Sequence, residues 1–424
     1  MVWTDEYGVM HAPNYSDIYQ AKQQILATYP ISNINWDYPN NILWKGNDWN
    51  AATLFSLNYR ISVQRLFDGC SSGCERVYMG IMDDPPIHED CYVGRGDSWL
   101  RTASGFLYSN VIPHEVAHLF GREHTEGCSA KVPSGWYYPY SGGFISPVRD
   151  GDLAIYGFNS LNKNILFSTS SDLMTYCYGT MWPSDFTYEG LFNEILERYD
   201  FNSNSNTVNT RVVNNYILIG GQVSFSQNIG KIIDIYRYET ESIPSVITSG
   251  DYLIKLRNQI GDEIASFPFD VEESEQCPPI CESNDDIPGY FTIAVPYFTD
   301  IYEIQLLHNE EILDTRAATI NQPSVQVTYP NGGEVINDEV EILWNANDLD
   351  GDPIYFAVQY SPDGGINWET LASGIDSNSL AIDPYTLMGS NNALIRVLAS
   401  DGFYTMSDIS DASFTIENHL PQVV

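Results

Sequence analysis

The sequence predicts an α/β (α+β) domain over residues 1–200, followed by two all-β sandwich modules over 211–322 and 323–418. Three observations carry that prediction. In the first 200 residues, segments with apolar residues at helical spacing alternate with short segments of period two. Just after Asp200 the run Asn202-Ser203-Asn204-Ser205-Asn206-Thr207 is polar and low in complexity, as a linker is. From Arg211 onward the pattern becomes short alternating strands separated by turns. A chain of 424 residues is also too long for one ordinary domain.

Taken in order, an irregular leader precedes a first helix that Ser16 can cap and Pro30 stops, with Ile18, Ala21, Ile25 and Tyr29 as its apolar face. Ile34, Trp36 and Tyr38 alternate as in a strand. Asp48 offers a cap for a second helix carrying Leu54, Leu57 and Ile61, and Val77 to Met82 reads as a further strand. The next helix begins near Ser109 or Asn110, because Pro113 is tolerated only in a first turn, where backbone N–H groups lack partners anyway. A last helix of this region places Phe192, Ile195, Leu196 and Tyr199 on one side. Beyond the linker, Tyr216-Ile217-Leu218-Ile219, Tyr252-Leu253-Ile254-Lys255-Leu256 and Tyr302-Glu303-Ile304-Gln305-Leu306 fit strands of a sandwich.

The third helix carries His114-Glu115-Val116-Ala117-His118-Leu119-Phe120-Gly121-Arg122-Glu123-His124. His114 and His118 are four apart and share a helix face, so both imidazoles can reach one metal ion. Ile112, Val116, Leu119 and Phe120 lie roughly opposite and let the helix pack inward. Gly121 follows about one turn later, where a residue tolerating positive φ ends the helix and lets His124 return as a third ligand. Three neutral imidazoles leave one position on zinc for water, whose pKa falls to about 7, and Glu115 is placed to take its proton.

His114-Glu115-x-x-His118-x-x-Gly121-x-x-His124 resembles the extended zinc signature of the metzincin metallopeptidases, which carry a methionine turn further along. Ser171-Asp172-Leu173-Met174-Thr175-Tyr176-Cys177 follows, and Met174 is similar to the methionine that forms a hydrophobic floor beneath the three histidines. Tyr176 matches the tyrosine that in the astacin-like and serralysin-like branches is a fifth zinc ligand or stabilises the oxyanion. Cys128, just after the third histidine, and Cys177, just after the methionine turn, look more like the reprolysin branch. Their placement predicts a bond tying the loop of His124 to the turn of Met174 and Tyr176. The resemblance implies a zincin-type catalytic domain that holds its substrate extended along an edge strand. It also implies a substrate wall built from the region after the third ligand, where Trp136 to Tyr140 either shape specificity or plug the lower subdomain. In the last module, Tyr329-Pro330-Asn331-Gly332-Gly333-Glu334, Ile342-Leu343-Trp344, Tyr360-Ser361-Pro362-Asp363-Gly364-Gly365 and Trp368 to Phe414-Thr415-Ile416 resemble the immunoglobulin-like or fibronectin-like modules of secreted microbial enzymes. Asn418-His419-Leu420-Pro421 reads as the opening of another such module, as expected of a fragment.

Seven cysteines so placed suggest an oxidising compartment. Cys70, Cys74 and Cys91 predict one bridge among them, and Cys277 and Cys281 flank two prolines and can close a small loop. Nineteen basic against 56 acidic residues give a formal charge of −37, which argues against nucleic acid or anionic membrane as a partner. Apolar runs of about 18 residues are missing, so membrane insertion is not expected, and Met1 to Met10 lack a secretory pattern, as in a mature form or fragment. Gly94-Arg95-Gly96-Asp97-Ser98 looks like the short integrin-recognition sequence, or is an ordinary turn, on an exposed loop or edge strand. Asp348, Asp350 and Asp352 are spaced for calcium or for a plain turn; the segment is not an EF-hand, since the twelfth position from Asp348 is Gln359.

The expected protein is therefore a secreted or cell-surface zinc endopeptidase, monomeric, acting on a protein or glycoprotein substrate. The competing class is an adhesin or matrix-binding protein whose zinc is structural, against which Glu115 speaks, since a structural site needs no base.

Overall fold

The computed structural model describes residues 2–4, 10–36, 43–45, 51–68, 70, 76–83, 94–97, 101–107, 110–128, 130, 132, 135–177, 180–199, 214–240, 249–271, 288–384 and 387–417. The predicted linker and the cysteines at 74, 91, 277 and 281 lie outside these residues, as do Asp48 and the stretch 418–424.

The N-terminal region holds four helices, α1 (Tyr15–Thr28), α2 (Ala51–Phe67), α3 (Val111–Leu119) and α4 (Asp185–Arg198). Its strands are short: β1 (Val2–Thr4), β2 (Met10–His11), β3 (Leu43–Lys45), β4 (Tyr78–Met82), β5 (Gly94–Asp97), β6 (Thr102–Phe106), β7 (Gly157–Phe158), β8 (Ile165–Leu166), β9 (Ser171–Asp172) and β10 (Met181–Trp182). A sheet of order β4-β6-β5 lies at its centre, with β6 parallel to β4 and antiparallel to β5. Buried Ala21 and Ile25 of α1, Tyr29 at its C-cap, Ile112 and Val116 of α3, Leu173, Met174, and Leu191 and Ile195 of α4 share one core. Each such fully buried large side chain stabilises the fold by roughly 1.5–3 kcal/mol.

Three local expectations are corrected. Asn14, not Ser16, caps α1: its Oδ1 accepts from the N–H of Ser16 (2.8 Å) and Asp17 (3.2 Å), while Asp17 accepts from Asn14 N–H. That reciprocal pair satisfies donors that a start at Ser16 would leave unpaired. The described part of the strand expected at Ile34, Trp36 and Tyr38 is coil, with Ile34 and Trp36 spent on side-chain packing against the core. On α4 the buried positions are Thr187, Leu191 and Ile195, whereas Phe192 and Leu196 point outward at 44% and 46% exposure. The helix is rotated by about one residue because Ser184, its cap, and Thr187 are both anchored to Asp172.

Beyond residue 213 the described chain is all β. The first group contains β11 (Asn214–Ser224), β12 (Ile229–Thr240), β13 (Tyr252–Arg257), β14 (Glu263–Phe269), β15 (Gly289–Pro296), β16 (Glu303–His308) and β17 (Glu311–Ala317). These form sheets β12-β11-β15 and β14-β13-β16-β17, between which Ile219, Ile254, Leu256, Phe291 and Leu306 are buried. The second group contains β18 (Ser324–Tyr329), β19 (Val335–Ile336), β20 (Val340–Asn347), β21 (Tyr355–Ser361), β22 (Glu369–Ile375), β23 (Ser379–Ile382), β24 (Ser390–Ser400), β25 (Thr405–Ile409) and β26 (Phe414–Ile416). One face of β18-β20-β23 meets a larger sheet around β24 and β21, and Ile342, Trp344, Phe356, Ile395 and Phe414 fill the space between. Along β20 Ile342 and Trp344 are buried while Leu343 is 38% exposed, the alternation a one-sided sheet requires.

The two β groups are not beads on a string. Tyr59, Val63, Leu66 and Phe67 of α2 form a single buried cluster with Tyr216, Leu218, Tyr236 and Tyr238 of the first group and Ala357 and Leu398 of the second. Gln64 donates to the carbonyl of Thr370, and Thr370 N–H donates back to Asp68 just past the helix end.

Candidate metal centre

Helix α3 starts where Pro113 permits, with Asn110 as its left-handed N-cap (φ 69°) and Pro113 in the first turn. It ends in a Schellman motif: Gly121 N–H donates to His118 O (2.9 Å), Arg122 N–H donates to Ala117 O (3.1 Å), and Gly121 has φ 68°. The chain then reverses, and His124 comes back against the helix. Ligand atoms of His114, His118 and His124 all lie within 4.8 Å of one another, a group that could hold a metal ion. The Nε2 atoms of His118 and His124 are 3.1 Å apart.

Each ring is held by its other nitrogen. His114 Nδ1 lies 2.7 Å from the carbonyl of Leu173, in the turn ahead of Met174, and His118 Nδ1 lies 2.7 Å from the carbonyl of Arg122. Both carbonyls can only accept, so both Nδ1 atoms carry the proton and Nε2 is the free lone pair. The Tyr176 hydroxyl lies 3.3 Å from His124 Nδ1, with the two rings 4.5 Å apart at their centroids. In this conformation Tyr176 supports a ligand. Burial pushes His114 down to about 3, and drives His118 well below its ordinary range, with the neighbouring imidazoles adding to both. Neutral imidazoles at physiological pH are the form a metal needs. Three neutral nitrogen donors with outer hydrogen bonds fit zinc.

Glu115, only 7% exposed, is where the site departs most from what a motif shows. Strand β5 crosses α3 so closely that a Cβ on Gly94 would lie 2.6 Å from both Glu115 Cγ and Oε1, and one on Gly96 would lie 2.7 Å from His118 Cβ. Burial pushes the Glu115 carboxyl up to about 8, opposed by the charge of Arg95 and by a hydrogen bond from Gly96 N–H. A divalent cation beside it would pull it back down. Because Gly94 and Gly96 face α3, Arg95 and Asp97 point to the other face of β5, where they pair at 3.7 Å. Asp97 is 5% exposed and the other three residues of β5 are half-buried, so Gly94-Arg95-Gly96-Asp97 is the expected edge strand and not an exposed loop. The available sequence signal for this was two glycines alternating within a strand, which marks a close backbone approach.

The turn after β9 is pinned by a second residue that the motif alone does not assign. Asp172 is fully buried and accepts hydrogen bonds from Met174 N–H (2.8 Å), Ser184 N–H (2.8 Å) and Thr187 Oγ1 (3.0 Å). Met174 is buried at 1% exposure, and its carbonyl accepts from Thr125 N–H, directly after the third histidine. Cys128 and Cys177 form the expected disulfide, and Cys70 is also disulfide-bonded. Of the aromatic loop, Trp136 and Tyr138 pack edge-on against Phe186, and Tyr140 donates to Asp185, so these three brace the first turn of α4. Tyr137 alone of the four aromatics projects, at 70% exposure.

A second group lies far along the sequence. Carboxylate oxygens of Asp348, Asp350 and Asp352 lie within 4.8 Å of one another and could hold a metal ion. Asp350 also accepts from both nitrogens of Asn321. The sequence did not foresee Asp401, whose carboxyl is raised mainly by burial, with Asp348 and Asp352 adding to it. One Oδ2 each of Asp348, Asp352 and Asp401 is buried without a hydrogen-bond partner.

Compared with known proteins, the chain matches no protein-family model and no curated protein. Among the described residues, no helix is long and apolar enough to cross a membrane.

Proposed function

We propose that the chain is a zinc-dependent endopeptidase that acts, as a secreted or surface monomer, on protein or glycoprotein substrates. One observation carries this reading: three imidazoles converge with each Nδ1 engaged, beside the buried Glu115 carboxyl. His114, His118 and His124 would hold the metal. Zinc held there would supply a bound water of pKa near 7 and Lewis acidity toward the scissile carbonyl. Glu115, buried on the same helix as His114 and His118, would accept the proton of the attacking water, in the ionised form that a bound cation favours, and deliver it to the leaving amine. The Tyr176 hydroxyl, beside His124, is the donor for the developing oxyanion. The substrate lies extended along β5, the edge of its sheet, gripped by main-chain pairing. Disulfides favour an oxidising compartment.

Two features weigh against an adhesin with an idle zinc. Asp97 is buried, and among the described residues no fourth histidine, cysteine or carboxylate joins the three histidines to close the coordination shell. The Asp348, Asp350 and Asp352 group, all oxygen donors, suits calcium.

Cleavage of casein by the purified chain and by Glu115→Ala, each with its zinc content measured, tests the reading. Activity that needs both zinc and Glu115 is expected. A zinc-loaded protein that cuts neither casein nor glycoproteins overturns it.

A further inference from the structure

Three consecutive residues of α2 reach three different parts of the protein. Successive residues of a helix point about 100° apart, so neighbours in sequence can serve different partners. Asn58, with no exposed surface, turns to the central sheet: its Nδ2 donates to the carbonyl of Arg95 in β5 (3.0 Å), and its main-chain carbonyl accepts from Thr102 Oγ1 in β6 (3.2 Å). Tyr59 enters the first β group, where its hydroxyl donates to buried Asp234 of β12 and its ring fills the notch left by Gly220 of β11. Arg60 pairs with the same Asp234 at 3.7 Å and lies where a side chain on Gly374, in the second β group, would stand.

Strand β5 needs such support. It is four residues long and, among the described strands, pairs only with β6. An edge strand that short holds its place through side contacts, and here its place decides where the Gly96 N–H meets the Glu115 carboxylate. We infer that Asn58 is a positioning residue for Glu115, and that the two β groups act on the metal centre by fixing α2 through Tyr59 and Arg60. The β groups are then working parts of the site and not spacers. This rests on the peptidase reading for its catalytic consequence only.

The test uses the full chain and the variants Asn58→Ala, Gly220→Ala and the milder Tyr59→Phe, which keeps the ring and removes the hydroxyl. A methyl on Gly220 collides with the Tyr59 ring, so Gly220→Ala perturbs the catalytic region from within a β module. Amide hydrogen exchange over 94–106, zinc content, kcat and KM are measured on each. We expect exchange over 94–97 to speed up by about tenfold or more, and kcat to fall roughly 10- to 100-fold with KM and zinc content unchanged. Wild-type exchange rates over 94–106 in the variants that fold overturn the coupling. Faster exchange with wild-type kcat overturns the positioning role. If the unmodified chain cleaves nothing, the peptidase reading fails by itself, and the exchange rates alone decide whether α2 transmits.

Discussion

Replacing Gly94 by alanine is the sharpest probe of the site, because the backbone there is an ordinary strand and only space is at issue. The added methyl would stand 2.6 Å from Glu115 Cγ and Oε1 and 2.8 Å from Val111 Cγ1, against about 3.4–4 Å for ordinary contact. Either β5 withdraws by roughly 1 Å or the Glu115 carboxylate swings away. A displacement of that size costs on the order of 100-fold in rate, or about 2.7 kcal/mol in the barrier, while overpacking costs about 1–3 kcal/mol of stability. The three atoms nearest that methyl belong to Glu115 and Val111 and not to a histidine. The assay is kcat and KM on a quenched peptide, with bound zinc and the unfolding midpoint measured on the same samples. We expect full zinc, KM within about twofold, and kcat down by about two orders of magnitude. In a Glu115→Ala background the same substitution should cost almost nothing further, since the two changes remove one function. Wild-type kcat in zinc-loaded Gly94→Ala would refute the reasoning, because Glu115 would then be working from somewhere other than the place β5 assigns it.

Other outcomes follow from the same structure. The Cys128–Cys177 bond closes a separation of 49 residues, so Cys177→Ser should lower the unfolding free energy by about 4 kcal/mol and weaken zinc retention, read by denaturant titration and dialysis against a chelator. Asp68, which accepts from Thr370 N–H and the Tyr78 hydroxyl near Arg76, is pushed by burial to about 6 from an ordinary 3.8. A raised folded value means the native state keeps the proton longer. This contribution to stability is therefore full below about pH 4, falls as pH rises to about 6, and amounts to a loss of about 3 kcal/mol above that. Asp68→Asn should flatten that slope, and equal slopes in the two proteins between pH 4 and 7.5 would count against it. Millimolar calcium should stabilise the chain by about 1–3 kcal/mol, and Asp352→Asn should abolish the gain; an unchanged melting temperature on adding calcium argues for a plain turn.

The sequence by itself determined what local spacing can encode. Two histidines four apart define a face, and Gly121 defines the helix end that returns the third. Alternation along Tyr252-Leu253-Ile254-Lys255-Leu256 marked a strand whose Tyr252, Ile254 and Leu256 are buried, and the placement of Cys128 and Cys177 set their pairing. These are short-range rules, or they depend on residue types with one chemistry. At the start of α1 the local rule pointed to Ser16, whereas the reciprocal hydrogen bonds between Asn14 and Asp17 put the cap at Asn14.

Tertiary structure decided the rest. The groups that orient His114 and His118 are the carbonyls of Leu173 and Arg122, one of them 59 residues away, and every residue type carries a carbonyl. The place of Glu115 depends on an edge strand that passes close enough to exclude a Cβ, a closeness that Gly94-Arg95-Gly96-Asp97, read as a turn or a short recognition sequence, does not announce. Asp401 joins Asp348 and Asp352 only because β24 and β25 turn back beside them. The role of α2 arises in the same way: its apolar residues announced a helix, but that Asn58, Tyr59 and Arg60 serve three different parts follows from packing against segments 37 residues away for Asn58 and 175 residues away for Tyr59. Periodicity records which face of an element is buried. What it is buried against is a property of the assembled chain.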